Sequence, residues 1–475
     1  MGTRWEHDFI GDMELDDQNY YGIQTMRGMG ASPHSGQTMN VEETELIYYL
    51  AVIKKAAALA NGEIGAIDSG IARAIAQACD EVIAGKYEEQ FPVDLFTGGG
   101  GITPHMNINE VLANRASEIL SGKKDYHVVH PNTHVNKCQS TNDVYPSALL
   151  LAMHKKLEKL EERTRTLCVV LKRKAEEFKS VVKIGRTCYQ DALPVTLGQE
   201  FGGYASFVSR QARFIKYVSE ECLEIPLGGT AVGTGVGCEQ GYTDAVLRHL
   251  REITGWDIRL SANYFDSFQN GDLYTRISYA LKALSSGVSK MSSDMRIMSS
   301  GPRAGFSEIS LPEMLPGSSI MPGKINPTIP ELMNQVCYQI CGNDMTISIA
   351  VERSDLDLNV WEGIIAKCLF ESATILTNSL KLFTENCVSG IRANAEQCRE
   401  YAENSVSLSA VVSSLFGYPT GAKTARLAVE KNKKISEIVV EEELLTQEQA
   451  EELLNPLNLT DRKIMEDLIK KFRTP

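Results

Sequence analysis

No apolar stretch in this chain of 475 residues reaches the roughly 18 residues that a membrane helix needs, so a membrane protein is not expected. Positive charge is also in short supply. Lys and Arg number 48 against 61 Asp and Glu, for a net charge of −13. Such a chain does not seek nucleic acid or an anionic lipid surface, although a local basic pocket for a carboxylate stays open to it. The 11 cysteines are scattered, odd in number and without CxxC pairs, which excludes a disulfide framework and points to reduced thiols. The segment Met1–Asp17 is charged and lacks the apolar core of a secretory signal. A soluble, cytoplasmic protein is expected. Internal repeats and low-complexity tracts are missing, and strand signals are few and short.

What the chain has is helix. Its hydrophobic fraction of 43% and charged fraction of 23% are those of an ordinary globular protein. Helical periodicity covers 42–60 and 69–84. Gly98 to Gly101 must form an irregular turn, because four glycines cannot hold a helix. His130-Pro131-Asn132 marks another break, followed by a polar stretch from Asn136 to Asp143. After Pro146, Leu150, Met153, Leu157, Leu160, Leu167 and Leu171 recur at spacings of three, four and seven. That pattern predicts an amphipathic helix of about 30 residues. Further long helices are predicted over 197–221, 271–300, 330–350 and 361–386. They read as an up-and-down bundle with more apolar face than one chain can cover, so an oligomer is expected. The domain division is a mixed helical segment over 1–142, a central long-helix bundle over 143–392 and a small helical region over 393–475. In the last, Thr446 stands three residues before Gln449, as in a capping box.

The segment 317–327, Gly-Ser-Ser-Ile-Met-Pro-Gly-Lys-Ile-Asn-Pro, is too rich in Gly and Pro for regular structure and dense in hydrogen-bonding groups. A plain linker seldom combines Lys324, Asn326, Ser318 and Ser319. A substrate-closing loop explains them. This segment resembles the signature loop of the aspartase/fumarase superfamily, and the similarity extends over nearly the whole chain. It includes Tyr20–Thr25, His134–Asp143, Gly185-Arg186-Thr187, Thr196–Glu200, Ser300–Gly305, Asn334-Gln335-Val336 and Gly342-Asn343-Asp344. The aspartate ammonia-lyase branch is the nearest.

The resemblance implies a mainly all-α fold with a central helix bundle shared between subunits of a homotetramer, each active site being built by three of them. It implies a carbon–nitrogen lyase performing anti β-elimination on a small amino-acid substrate. Ser318 is then the general base. Lys324, Asn326 and Thr187 hold the α-carboxylate, and Asn142 and Thr187 touch the departing amine. Ser140, Thr141 and Ser319 stabilise the group beside the proton being removed. The residue types suit the task. Hydroxyl and amide donors stabilise charge where it develops, and a serine becomes basic only in a field that favours its alkoxide. No cofactor and no metal are required.

Departures from the aspartase pattern bear on the substrate. Ile102 and Thr103 stand where a threonine and a serine are expected on the β-carboxylate side, and His105 replaces an asparagine. Cys188 follows Thr187 in place of histidine or glutamine. Phe268 and Trp361 replace smaller side chains, and Asp355 is unusual near Trp361. Ile102 and His105 suit a ring in place of the β-carboxylate, and Trp361 with Asp355 suits a quaternary amine. An ergothionase-type lyase, which releases trimethylamine from ergothioneine, is therefore an alternative. A fumarase-like hydratase and a non-catalytic scaffold are the others.

Overall fold

The computed structural model describes residues 2–473. Met1 and residues 474–475, at the ends of the first and third expected segments, lie outside them. Among the described residues helices dominate, and the strands form four two-stranded pairs. None of the helices among the described residues is long and apolar enough to cross a membrane.

The chain divides into two compact units. The first takes residues 1–161, 213–283 and 338–377; the second takes 162–212, 284–337 and 378–475. The expected C-terminal region thus falls wholly in the second unit. There Val412, Ile438, Val439, Ala450 and Leu453 form a closed apolar core. Thr446 caps the Gln447–Leu453 helix, with the reciprocal Gln449 bond of a capping box.

The long helices are those the periodicity predicts: Thr141–Glu177, Leu197–Glu221, Asp272–Met298, Thr328–Glu352 and Glu362–Asn386. Two of the elements that differ from expectation lie close to the expected site residues. The first long helix starts at Thr141, not after Pro146. Proline is tolerated there because only one intrahelical bond, to the Asn142 carbonyl, is lost near the helix start. An additional helix, Ile102–Ser121, follows the glycine turn. Its inward face carries Asn107, Asn109, Glu110 and Asn114, all buried, and these polar residues interrupt the apolar periodicity. Glu110 earns its place by accepting the backbone N–H groups of Gly22, Gln24 and Thr25 at 2.8–3.0 Å. Burial nonetheless pushes its carboxyl up to about 7.

Candidate active site

In the first unit, the start of the Thr141–Glu177 helix gathers three of the expected residues. Asp143 fixes it. One carboxylate oxygen accepts the Ser140 N–H at 2.9 Å, and the other accepts the N–H groups of Gly228 and Thr230 at 3.1 and 3.0 Å. Asn142 donates its side-chain amide to the Ala231 carbonyl at 2.7 Å, and its backbone N–H to Ser140 Oγ at 3.3 Å. Thr141 Oγ1 lies 2.7 Å from Nδ1 of His105. Ser140, Thr141 and Asn142 are thus tied to one helix N-terminus, whose dipole favours an anion.

His105 is itself buried, and its other ring nitrogen lies 2.7 Å from Nζ of Lys54. The ring that the sequence suggested as a pocket wall therefore has both nitrogens engaged within the protein. Ile102, three residues before His105 on the same helix, is exposed at the first turn. Thr103 packs on Gly28, where an added Cβ would come 2.2 Å from its methyl group. Phe268 is buried behind Gly229, where a Cβ would stand 2.7 Å from the ring. Trp361 donates its indole N–H to the Arg353 carbonyl at 2.7 Å, and Asp355 is exposed in the same turn. No hydrogen bond joins Trp361 or Asp355 to the Ser140–Asn142 cluster among the described residues.

In the second unit, Val182–Thr187 and Gln190–Thr196 form a hairpin with Thr187 at its tip. The turn residues Cys188 and Tyr189 are exposed and hold left-handed backbones, with φ of 54° and 59°. Non-glycine residues adopt that region at a cost that the surrounding structure must impose. The base of the hairpin is anchored by charge. Glu308, fully buried, meets Arg186 at 2.7 Å and Lys183 at 2.9 Å, and Lys183 also reaches Glu200 at 3.0 Å. The Arg186 guanidinium lies over the Phe306 ring, 4.2 Å from its centre.

The 317–327 loop is closed on itself. The Gly317 N–H donates to the Lys324 carbonyl at 2.7 Å, and the Asn326 side chain returns a bond to the Gly317 carbonyl at 3.0 Å. Within this ring, Ser318 Oγ accepts two backbone N–H groups, from Ile320 at 3.2 Å and Met321 at 3.0 Å. Donors aimed at an oxygen favour its charged form, so the geometry is suited to an alkoxide. Ser319 and Lys324 are exposed beside it. Ser318, Ser319, Lys324 and Asn326 thus share one loop, while Thr187 and Cys188 share the hairpin tip.

Two supports were not read from sequence: Lys54, and the Glu308 cluster under the hairpin. The signal for the first was a lysine pair inside the apolar run 46–60. The Gly228–Gly237 run, with four glycines at positive φ, was a further unread sign of an irregular segment near the site.

Comparison with known proteins places these features in context. A family model described as lyase matches residues 11–342, and one described as the fumarase C C-terminus matches residues 410–461. The chain is 44% identical to an aspartate ammonia-lyase of a Bacillus species, covering 96% of this chain and 97% of that one. Among solved structures, a cobalt-bound fumarate lyase:delta crystallin from Brucella melitensis superposes with a TM-score of 0.93 at 38% identity, covering 97% of this chain and 100% of that one. A class II fumarase from Schistosoma mansoni gives 0.92 at 35% identity, with 97% and 99% covered. The chain belongs to the lyase family of the aspartase/fumarase superfamily, in its aspartate ammonia-lyase branch, and is a carbon–nitrogen lyase.

Proposed function

We propose that the chain catalyses anti β-elimination of ammonia from L-aspartate, giving fumarate. Ser318 Oγ takes a proton from C3, the electrons of that C–H bond form the C=C bond, and the C–N electrons leave with the amine. Charge builds transiently on the β-carboxylate, where Ser140, Thr141 and Ser319 donate to it. Lys324, Asn326 and Thr187 hold the α-carboxylate, and Asn142 with Thr187 receives the amine. The observation that carries this reading is the pair of N–H groups aimed at Ser318 Oγ, in a chain so similar to aspartate ammonia-lyases.

Ile102 offers no donor to a carboxylate. The β-carboxylate is therefore assigned to the hydroxyls at the start of the Thr141–Glu177 helix. A substrate panel tests the reading. L-aspartate is expected to yield fumarate, followed by its ultraviolet absorbance, and ammonia. Turnover of ergothioneine to trimethylamine and a conjugated acrylate, with none of aspartate, would overturn it.

The loop makes a second test. A Cβ on Gly317 would stand 2.7 Å from the Asn326 backbone nitrogen and 2.8 Å from the Lys324 carbonyl oxygen. Gly317→Ala must open the ring that aims Ser318. A displacement of about 1 Å costs on the order of a hundredfold in rate. The expected result is that loss in kcat with the melting temperature unchanged.

The chain also works as a homotetramer with active sites shared between subunits, in the cytoplasm. Val169, Tyr217, Tyr279, Tyr338, Met345 and Ile349 are exposed on four of the long helices, which supports apolar partners from other copies. No disulfide joins the cysteines among the described residues, which supports a reducing compartment.

A further inference from the structure

We propose that Lys54 and His105 are positioning residues that set the direction of the Thr141 hydroxyl proton, turning it out toward the substrate carboxylate. The inference rests on the reading that Thr141 faces the developing charge. It follows from hydrogen-bond polarity. Lys54 is fully buried in the Thr44–Glu63 helix and touches His105 Nε2 at 2.7 Å and Asn136 Oδ1 at 3.0 Å. The Asn136 amide is oriented by its own donation to the Gln139 carbonyl at 3.1 Å. An ammonium has donors only, so Nε2 of His105 must accept. Burial, and then the Lys54 charge, hold the imidazole well below its ordinary pKa. A neutral ring carries one proton, here on Nδ1. That proton goes to Thr141 Oγ1 at 2.7 Å. Thr141 accepts this bond, and its own proton stays free to be donated beside Ser140 and Asn142. The opposite polarity would spend the Thr141 proton on the ring.

The relay is reversible. Burial pushes Lys54 down to about 7, while Asp143 on the Thr141–Glu177 helix and Cys79 on the Ser69–Ile83 helix pull it up. Once Lys54 loses its proton, the amine has a lone pair. The imidazole can then move its proton to Nε2, and Nδ1 accepts from Thr141. Substrate binding is therefore strong while Lys54 is charged and weakens as pH rises through its titration.

Two variants and one spectrum test this. His105→Gln keeps the polarity, with amide oxygen toward Lys54 and nitrogen toward Thr141, but cannot tautomerise. His105→Leu removes the bond. In wild type, KM for L-aspartate is expected to rise about tenfold across the titration, the worth of one hydrogen bond to a charged group. It is expected to stay flat in His105→Gln and high at all pH in His105→Leu. Nitrogen-15 NMR of histidine-labelled protein, with the His105 signal assigned by its loss in His105→Gln, is expected to show the Nδ1–H tautomer at low pH. An Nε2–H tautomer there, or a wild-type KM profile in His105→Gln, would overturn the relay. Failure of the wild type to turn over aspartate would sink the functional reading instead, and the tautomer, which needs no substrate, would then decide the relay alone.

Discussion

Ser318→Ala is expected to lower kcat for aspartate roughly a hundred- to ten-thousand-fold, the range for loss of a positioned general base. The side chain belongs to a loop, and among the described residues its only hydrogen bonds are those it accepts from Ile320 and Met321. Melting temperature and oligomeric state should therefore hold. KM should change little, because the carboxylate clamp proposed for Lys324 and Asn326 is separate from the base. A variant with kcat within about threefold of wild type would leave the serine without a catalytic role. The two donated N–H groups explain how an ordinary hydroxyl reaches this role. They act on the alkoxide far more than on the alcohol, and their effect grows as closure excludes water.

Glu308→Ala should produce the largest loss of stability. Glu308 is fully buried between Lys183 and Arg186. Among the described residues, removing it leaves Lys183, 4% exposed, with Glu200 alone, and Arg186 with no carboxylate. Breaking a buried pair in this way costs about 3–5 kcal/mol. The denaturant midpoint should fall accordingly. Glu308→Gln, which keeps hydrogen-bonding oxygen in place, should fall less. The consequence reaches function because the strand that carries Lys183 and Arg186 ends at Thr187. In the Ala variant kcat/KM should drop as well. A midpoint shift worth under about 1 kcal/mol would show that the cluster does not anchor the hairpin.

Much of the fold was legible in the sequence, for a definite reason. The bundle helices bury one apolar stripe each, so their 3.6-residue period survives in the residue order. The helix 197–221 was read to the residue, and Thr446 with Gln449 announced a cap. The elements that escaped are those whose inward residues are polar or whose period is broken. Buried Asn107, Asn109 and Glu110 hid the Ile102–Ser121 helix. Gly185, at a register shift in the hairpin, and Pro194 hid the strands around Thr187.

The candidate site was legible only as separate segments, the 317–327 loop and the polar stretch that leads into the Thr141–Glu177 helix. The loop residues stood out because Gly, Pro, Ser, Lys and Asn rarely concentrate without purpose. His105 was visible as an oddity, but its ring partners were not: Lys54 lies 51 residues away in sequence and Thr141 lies 36 away. Only tertiary structure turns those three residues into a chain of hydrogen bonds. The same holds for Glu308, which lies 122 residues from Arg186.

Hydrogen transfer at carbon is the centre of this account, and running the reaction backward in heavy water observes it most directly. Fumarate and ammonia mixed with the wild-type protein should give aspartate with a single deuterium at C3 in one stereochemical position, read by proton NMR. Ser318→Ala should form no such product over the same time. Equal deuterium incorporation by the two proteins would contradict the role given to Ser318.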